Sequence, residues 1–204
     1  MIGHSVRGRP LAAVELGDPA GARRVLVVGC IHGNECAGEA VTRRLRTLSP
    51  PAGVDLWVVD DLNPDGHAAG TRQNAHGVDL NRNFGFRWRP LGGIFNSGPH
   101  PFSEPESRAA RRLILRLHPA ITIWFHQHLR LVDAPGGDTR IERRYARLVG
   151  LPLRRLPPYH GTATRWENHN MPGTTAFVVE LPAGPMPAAA VRRHARAVLT
   201  VAAG

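Results

Sequence analysis

The chain has 204 residues, 42% of them hydrophobic, and a formal net charge of +10. That length suits one domain spanning residues 1–204 with a sizeable core. No apolar run approaches the ~20 residues of a membrane span, and two cysteines are too few for a disulfide scaffold. All 26 cationic side chains are Arg, which reads as the bias of a GC-rich genome. No aromatic-interleaved basic stretch and no Cys/His finger accompanies them, which argues against a nucleic-acid partner. Met1 to Gly17 is strand-like and has no apolar segment before a small-residue cleavage site. As it stands the sequence reads as cytoplasmic. An export segment trimmed from it would instead place the protein in the cell envelope or outside the cell.

In chain order, Arg24 to Val28 is a continuous apolar run ending at Gly29, the pattern of a buried parallel strand. Ala37 to Leu48 reads as a helix stopped by Ser49-Pro50-Pro51, and Val54 to Val59 as a second strand. Asn63-Pro64-Asp65-Gly66 has turn composition. Residues Gly66 to Pro101, rich in Gly, Asn, Arg and Pro, read as long ordered loops, which in a compact domain are usually functional. Ser103-Glu104-Pro105-Glu106 has the form of a capping box opening a helix to about Leu117. Ala120 to Phe125 is a third strand, Ile141 to Val149 a helix, Thr175 to Val179 a fourth strand and Ala188 to Ala202 a final helix. Alternating strands and helices predict an α/β fold, a mixed, mostly parallel sheet with helices on both faces.

Chemically competent residues fall where this order places strand ends. His32 and Glu35 follow the first buried strand, His126 follows the third, and Glu180 ends the fourth. Ligands in open α/β sheets collect at the carboxyl ends of strands. Catalytic zinc takes three nitrogen or oxygen ligands and leaves one position open. His32, Glu35 and His126 supply that set. His128 competes with His126, because strand parity would put both on one face if the strand continued. His126 is preferred, as it directly follows Ile121-Thr122-Ile123-Trp124-Phe125. Cys30 and Cys36 flank the His32/Glu35 pair and read as small packing residues, since the ligand set is complete without them. Asp79 could orient a ligand histidine from behind. Arg72, Asn81 and Arg82 offer guanidinium and amide donors for a carboxylate or an oxyanion. A carboxylate at Glu180, after an apolar run, is costly unless it is paired or functional. Beside a metal it could move a proton.

Taken together, Val25 to Gly38, Leu62 to Gly66, Thr71 to Phe84, Gly98 to Ser107, Ile123 to Gln127 and Thr174 to Gly184 resemble the zinc carboxypeptidase family of the carboxypeptidase A type. Within it they look most like the small bacterial branch that includes murein peptide amidase. The run Gly77-Val78-Asp79-Leu80-Asn81-Arg82-Asn83-Phe84 carries most of the specificity. The resemblance implies one zinc per chain on His32, Glu35 and His126, with Glu180 as general base and acid. It implies Asp79 as support for His32, and Arg72 as the group that polarises the scissile carbonyl. Asn81 and Arg82 would grip a terminal carboxylate, and Tyr159 stands near the distance of a substrate-capping tyrosine. The implied partner is a murein-derived peptide cleaved at an amide next to a free carboxylate, such as the γ-D-glutamyl–diaminopimelate bond. Glu167 is a candidate contact for the second ammonium of diaminopimelate from its loop position. The alternatives are an N-acyl amino acid deacylase of the aspartoacylase and succinylglutamate desuccinylase type, and a non-catalytic peptidoglycan-binding module.

Overall fold

The computed structural model describes residues 1–135 and 138–204. A two-stranded antiparallel pair, β1 (Gly3–His4) with β2 (Pro10–Leu11), precedes the main sheet. Then follow β3 (Val14–Gly17), β4 (Arg23–Val28), α1 (Glu39–Leu45), β5 (Val54–Val59), α2 (Pro64–Ala69) and α3 (Pro105–Leu117). The chain continues through β6 (Ile121–Gln127), β7 (Leu131–Asp133), α4 (Arg140–Val149), β8 (Leu153–Arg154), α5 (Ala163–Asn170), β9 (Thr175–Leu181) and α6 (Ala188–Ala203). Seven strands form one mixed sheet in the order β3-β5-β4-β6-β9-β7-β8. The centre, β5-β4-β6-β9, is parallel, while β3 and β7 run antiparallel to their inner neighbours. The expected α/β architecture is therefore present.

Period-2 alternation sorts the central strands into two cores. Val25, Val27, Ile123, Phe125, Phe177 and Val179 face one side, with Val41, Leu45, Tyr145 and Val198 from α1, α4 and α6. Leu26, Val28, Trp124 and Val178 face the other, with Leu113, Ile114 and Leu117 of α3 and Trp166 of α5. His126 has the parity of Trp124, and Glu180 that of Val178. Both therefore lie on the second face, directly paired in register across β6 and β9. Among the described residues no helix is long and apolar enough to cross a membrane.

Several local expectations are corrected. The 63–66 segment is not an isolated turn: it starts α2, with Pro64 at the first helical position and Asn63 capping through Oδ1, which accepts from Gly66 N at 3.0 Å. The capping box at 103–106 does not form. Glu104 is the residue before α3 and makes no side-chain cap, because Glu104 and Glu106 are both drawn to Asn74 Nδ2, at 2.8 and 3.0 Å. The predicted helix from Ala37 begins as a short 3₁₀ turn, Cys36–Gly38, before α1. Cys30 and Cys36 are not merely packing residues. The turn between them folds back until their Cα atoms are 4.6 Å apart, and the two sulfurs are joined as a disulfide.

Glu167 is also misplaced by the sequence reading. It sits on α5 beneath the sheet, with no solvent exposure, and Oε1 accepts from Trp124 Nε1 at 2.7 Å. It is not on a cleft wall and cannot meet a substrate ammonium. Burial raises its carboxyl from 4.5 to about 7, against the indole hydrogen bond that favours the anion. A carboxyl raised in the folded state adds stability that is whole below the unfolded value, near pH 4.5, and is lost as pH rises through 7. Glu167→Gln keeps an acceptor for Trp124 and removes the titration. It should flatten the unfolding free energy between pH 4.5 and 7, by on the order of 3 kcal/mol. Urea titrations across that range check this, and parallel curves for the two proteins would contradict it.

Candidate active site

Three parallel strands deliver the site. The turn after β4 carries His32 and Glu35, the end of β6 carries His126, and β9 carries Glu180. Gly33 is required in the turn by close approach: a Cβ there would lie 2.0 Å from the carbonyl carbon of Gly66. Asn63, fully buried, donates from Nδ2 to Ile31 O at 3.2 Å and to Arg72 O at 3.3 Å. One side chain thus ties the ligand turn to the loop holding Arg72. Gln127 fixes the opposite side, accepting from Ala37 N at 3.1 Å and donating to Pro182 O and Gly184 O at 2.7 and 2.8 Å.

Three donor atoms converge. His32 Nδ1 lies 3.0 Å from Glu35 Oε2. His126 Nδ1 lies 3.1 Å from His32 Nδ1 and 3.2 Å from Glu35 Oε2. Asp79 Oδ1 stands 3.0 Å from His32 Nε2 on the far side of the ring. Asp79 can only accept there when ionised, so Nε2 carries the proton and the Nδ1 lone pair faces inward. Two imidazole nitrogens and a carboxylate oxygen pointing at one spot fit the nitrogen and oxygen preference of zinc. Glu35 Oε1, turned away, accepts from Arg72 Nη1 at 2.7 Å, and Arg72 Nε donates to Asp79 Oδ2 at 2.9 Å. A second group, Cys30, Cys36, Glu39, Asp61 and His67, also clusters. Its two sulfurs are joined to each other, which removes them as thiolate ligands.

The charges explain the protonation states. Burial opposes ionisation of Asp79, but His32 and the Arg72 and Arg82 guanidiniums hold its carboxyl well below the usual range. Burial likewise opposes the Glu35 anion, and its hydrogen bonds with His126 and His32 overcome it, so that carboxyl too is strongly lowered. Burial pushes the His126 imidazole down, which favours the neutral ring a metal needs.

Around this cluster a cavity is lined by Arg72, Asn81, Arg82, Tyr159 and Glu180, together with His32, Glu35 and His126. Of the sequence-predicted site residues, only Asp79 and Glu167 do not reach its wall; Asp79 stands behind His32, and Glu167 is buried under the sheet. Asn81 is oriented by Ala163 N, which donates to its Oδ1 at 3.0 Å. Arg82 donates from Nη1 to Asn81 O at 2.7 Å. Its guanidinium lies 4.7 Å from the Tyr159 ring centre and 5.4 Å from that of Phe95. These contacts steer a planar fork without using up its donors. Phe95 was not foreseen; an exposed aromatic after Gly92-Gly93 was its only signal. His128 also lines the cavity, yet β6 stops at Gln127, so strand parity no longer carries it beside His126.

The turn's geometry makes a direct prediction. Gly33→Ala should destabilise the fold by ~1–3 kcal/mol, because backbone must move to admit the methyl group. Asn34→Ala, at the exposed neighbour, should cost far less. Thermal melts of both variants check this, and equal melting temperatures would contradict it.

The description of the zinc carboxypeptidase family matches residues 1–48 and 52–182. Murein peptide amidase A of Escherichia coli (strain K12) is 36% identical over 149 residues. That alignment covers 65% of this chain and 60% of the relative, so the chain spans about three fifths of the length of that protein. The crystal structure of murein-tripeptide amidase from Escherichia coli O157 superposes with a TM-score of 0.79 at 26% identity, over 98% of this chain and 89% of that one. Carboxypeptidase A from Helicoverpa armigera shares the fold, with a TM-score of 0.83 at 18% identity, over 99% of this chain and 66% of that one. A match running from the first strand to the end of β9 makes this chain a member of the zinc carboxypeptidase family.

Proposed function

We propose that this chain is a zinc-dependent hydrolase that cleaves an amide bond next to a free carboxylate, and that its substrates are murein-derived peptides. The observation that carries the reading is the convergence of His32 Nδ1, Glu35 Oε2 and His126 Nδ1 within 3.0–3.2 Å of one another, with carboxylate and guanidinium groups around one cavity. The similarity to two murein peptide amidases supports the substrate class. We read the chain as a single domain binding one zinc ion.

In this reading His32, Glu35 and His126 hold the ion, which when bound supplies Lewis-acid chemistry that acidifies water and polarises a carbonyl. Glu180 accepts the proton of the attacking water and returns it to the departing nitrogen. Its backbone partner His126 places it across the ligand cluster, and Leu129 N steadies it by donating to Oε2 at 3.3 Å. Arg72 donates to Glu35 Oε1, helps keep Asp79 ionised, and presents its guanidinium to the oxygen of the scissile carbonyl. Arg82 and Asn81 bind the free carboxylate, for which a planar fork is better suited than an ammonium. Tyr159, packed on Arg82, covers that clamp.

Metal analysis separates the ligand histidine from its neighbour. His126→Ala should lose most bound zinc and His128→Ala should keep it; the reverse would overturn the ligand set. Glu180→Gln should retain zinc and fold yet lose ~10²–10⁴-fold or more in turnover. The test of the whole reading is incubation of zinc-loaded protein with murein tripeptide, with its carboxyl-amidated form and with N-acyl aspartate, followed by mass spectrometry. Cleavage of the free peptide alone is expected. Hydrolysis of N-acyl aspartate without action on the peptide would assign the chain to the deacylase alternative.

A further inference from the structure

Outside the catalytic cavity a second set of ligand-type side chains converges. Glu39 opens α1, Asp61 lies just after β5, and His67 is on α2. Cys30 and Cys36 stand against the same spot but are bonded to each other. His67 Nδ1 is 2.8 Å from Asp61 Oδ2 and 2.9 Å from Glu39 Oε1. These spacings are close to those around Glu35 Oε2, which lies 3.0 and 3.2 Å from its two imidazoles. A ring nitrogen carries at most one proton. Asp61 takes that hydrogen bond. Glu39 Oε1, on a side chain buried at the start of the helix, is left without a hydrogen-bond partner among the described residues.

The neighbouring cations do not relieve this. Arg43 engages the other oxygen of Glu39, Oε2, and Arg46 is taken up by Asp60 at 2.7 Å. Burial, then the charge of Asp61, holds the Glu39 carboxyl above its ordinary pKa in spite of His67 and Arg43. Burial raises Asp61 as well, against its hydrogen bonds with His67 and Asn63. Two carboxylates drawn together out of water call for more positive charge than the protein supplies. We infer that Glu39 Oε1, Asp61 Oδ2 and His67 Nδ1 form a second, non-catalytic site for a divalent cation. One imidazole and two carboxylates suit zinc. The His67 side chain is 43% exposed, so an ion can enter from solvent and water can complete its shell. Glu39 follows the turn that carries His32 and Glu35, and α2 leads into the loop of Arg72. A bound ion would clip those two segments together. The inference does not depend on which amide the enzyme cleaves.

The open site should bind zinc more weakly than the catalytic one and fill only when zinc is added in excess. Equilibrium dialysis against excess zinc, without reductant so that the disulfide stays intact, should then give two equivalents per chain by metal analysis. His67→Ala and Asp61→Asn should each lose one equivalent and keep the other, while His126→Ala loses the complementary one. Circular dichroism checks that each variant is folded. With the catalytic site already saturated, zinc at about a hundredfold excess over the Kd of the second site should raise the melting temperature by roughly 5–10 °C. That rise should vanish in His67→Ala, whose missing side chain is largely in solvent. A single equivalent in the wild-type protein, or a second one that survives both substitutions, would overturn the inference. So would a second equivalent that appears only after reduction, because it would belong to Cys30 and Cys36. Two equivalents with this pattern of losses, in a protein that hydrolyses no murein peptide, would keep the second site and discard the proposed reaction.

Discussion

Asp79 holds a carboxylate with no exposure to solvent, and the surrounding groups are arranged to satisfy it. An unpaired buried anion would cost several kcal/mol. Here it accepts from Arg72 Nε at 2.9 Å and from Asn81 N at 2.9 Å, and it lies 3.0 Å from His32 Nε2. Each partner has a second obligation. His32 turns its other nitrogen to Glu35 and His126, Arg72 extends to Glu35, and the backbone at Asn81 leads into Arg82. A single carboxylate therefore fixes a tautomer, a guanidinium orientation and the path of a loop. Removing it would leave a guanidinium, a backbone N–H and a ring nitrogen without a common anchor.

The sheet supplies what this network cannot, namely position along the chain. Residues 32, 126 and 180 are far apart in sequence and come together because β4, β6 and β9 are adjacent and parallel. Their carboxyl ends then open on one edge. The loops between the strands carry buried polar side chains that replace regular structure. Asn83 donates to Ser97 O at 2.8 Å and accepts from Ser107 Oγ at 2.6 Å. Asn74 accepts from Val78 N at 3.1 Å and donates to Glu104. Such loops remain ordered because their backbone groups have partners inside the protein.

Much of this was legible in the sequence, and for a physical reason. Buried parallel strands are continuous apolar runs, so a polar residue at the end of one stands out. That signal identified His32, His126 and Glu180, although β9 continues to Leu181 and so contains Glu180 rather than ending before it. Long-range pairing was illegible: nothing in the spacing of Arg72 and Glu35 shows that they meet. Glu167 was misread because α5 has a polar, aperiodic sequence, Ala163-Thr164-Arg165-Trp166-Glu167-Asn168-His169-Asn170, that gave no sign of a helix. The Cys30–Cys36 bond required knowing how tightly the ligand turn folds back.

The central claim is that one zinc site is built from two imidazoles and a carboxylate. X-ray absorption at the zinc edge of the loaded protein tests it most directly. The account predicts a first shell of nitrogen and oxygen alone, at about 2.0–2.2 Å. A sulfur shell near ~2.3 Å would instead place the ion on Cys30 and Cys36, and would contradict the account.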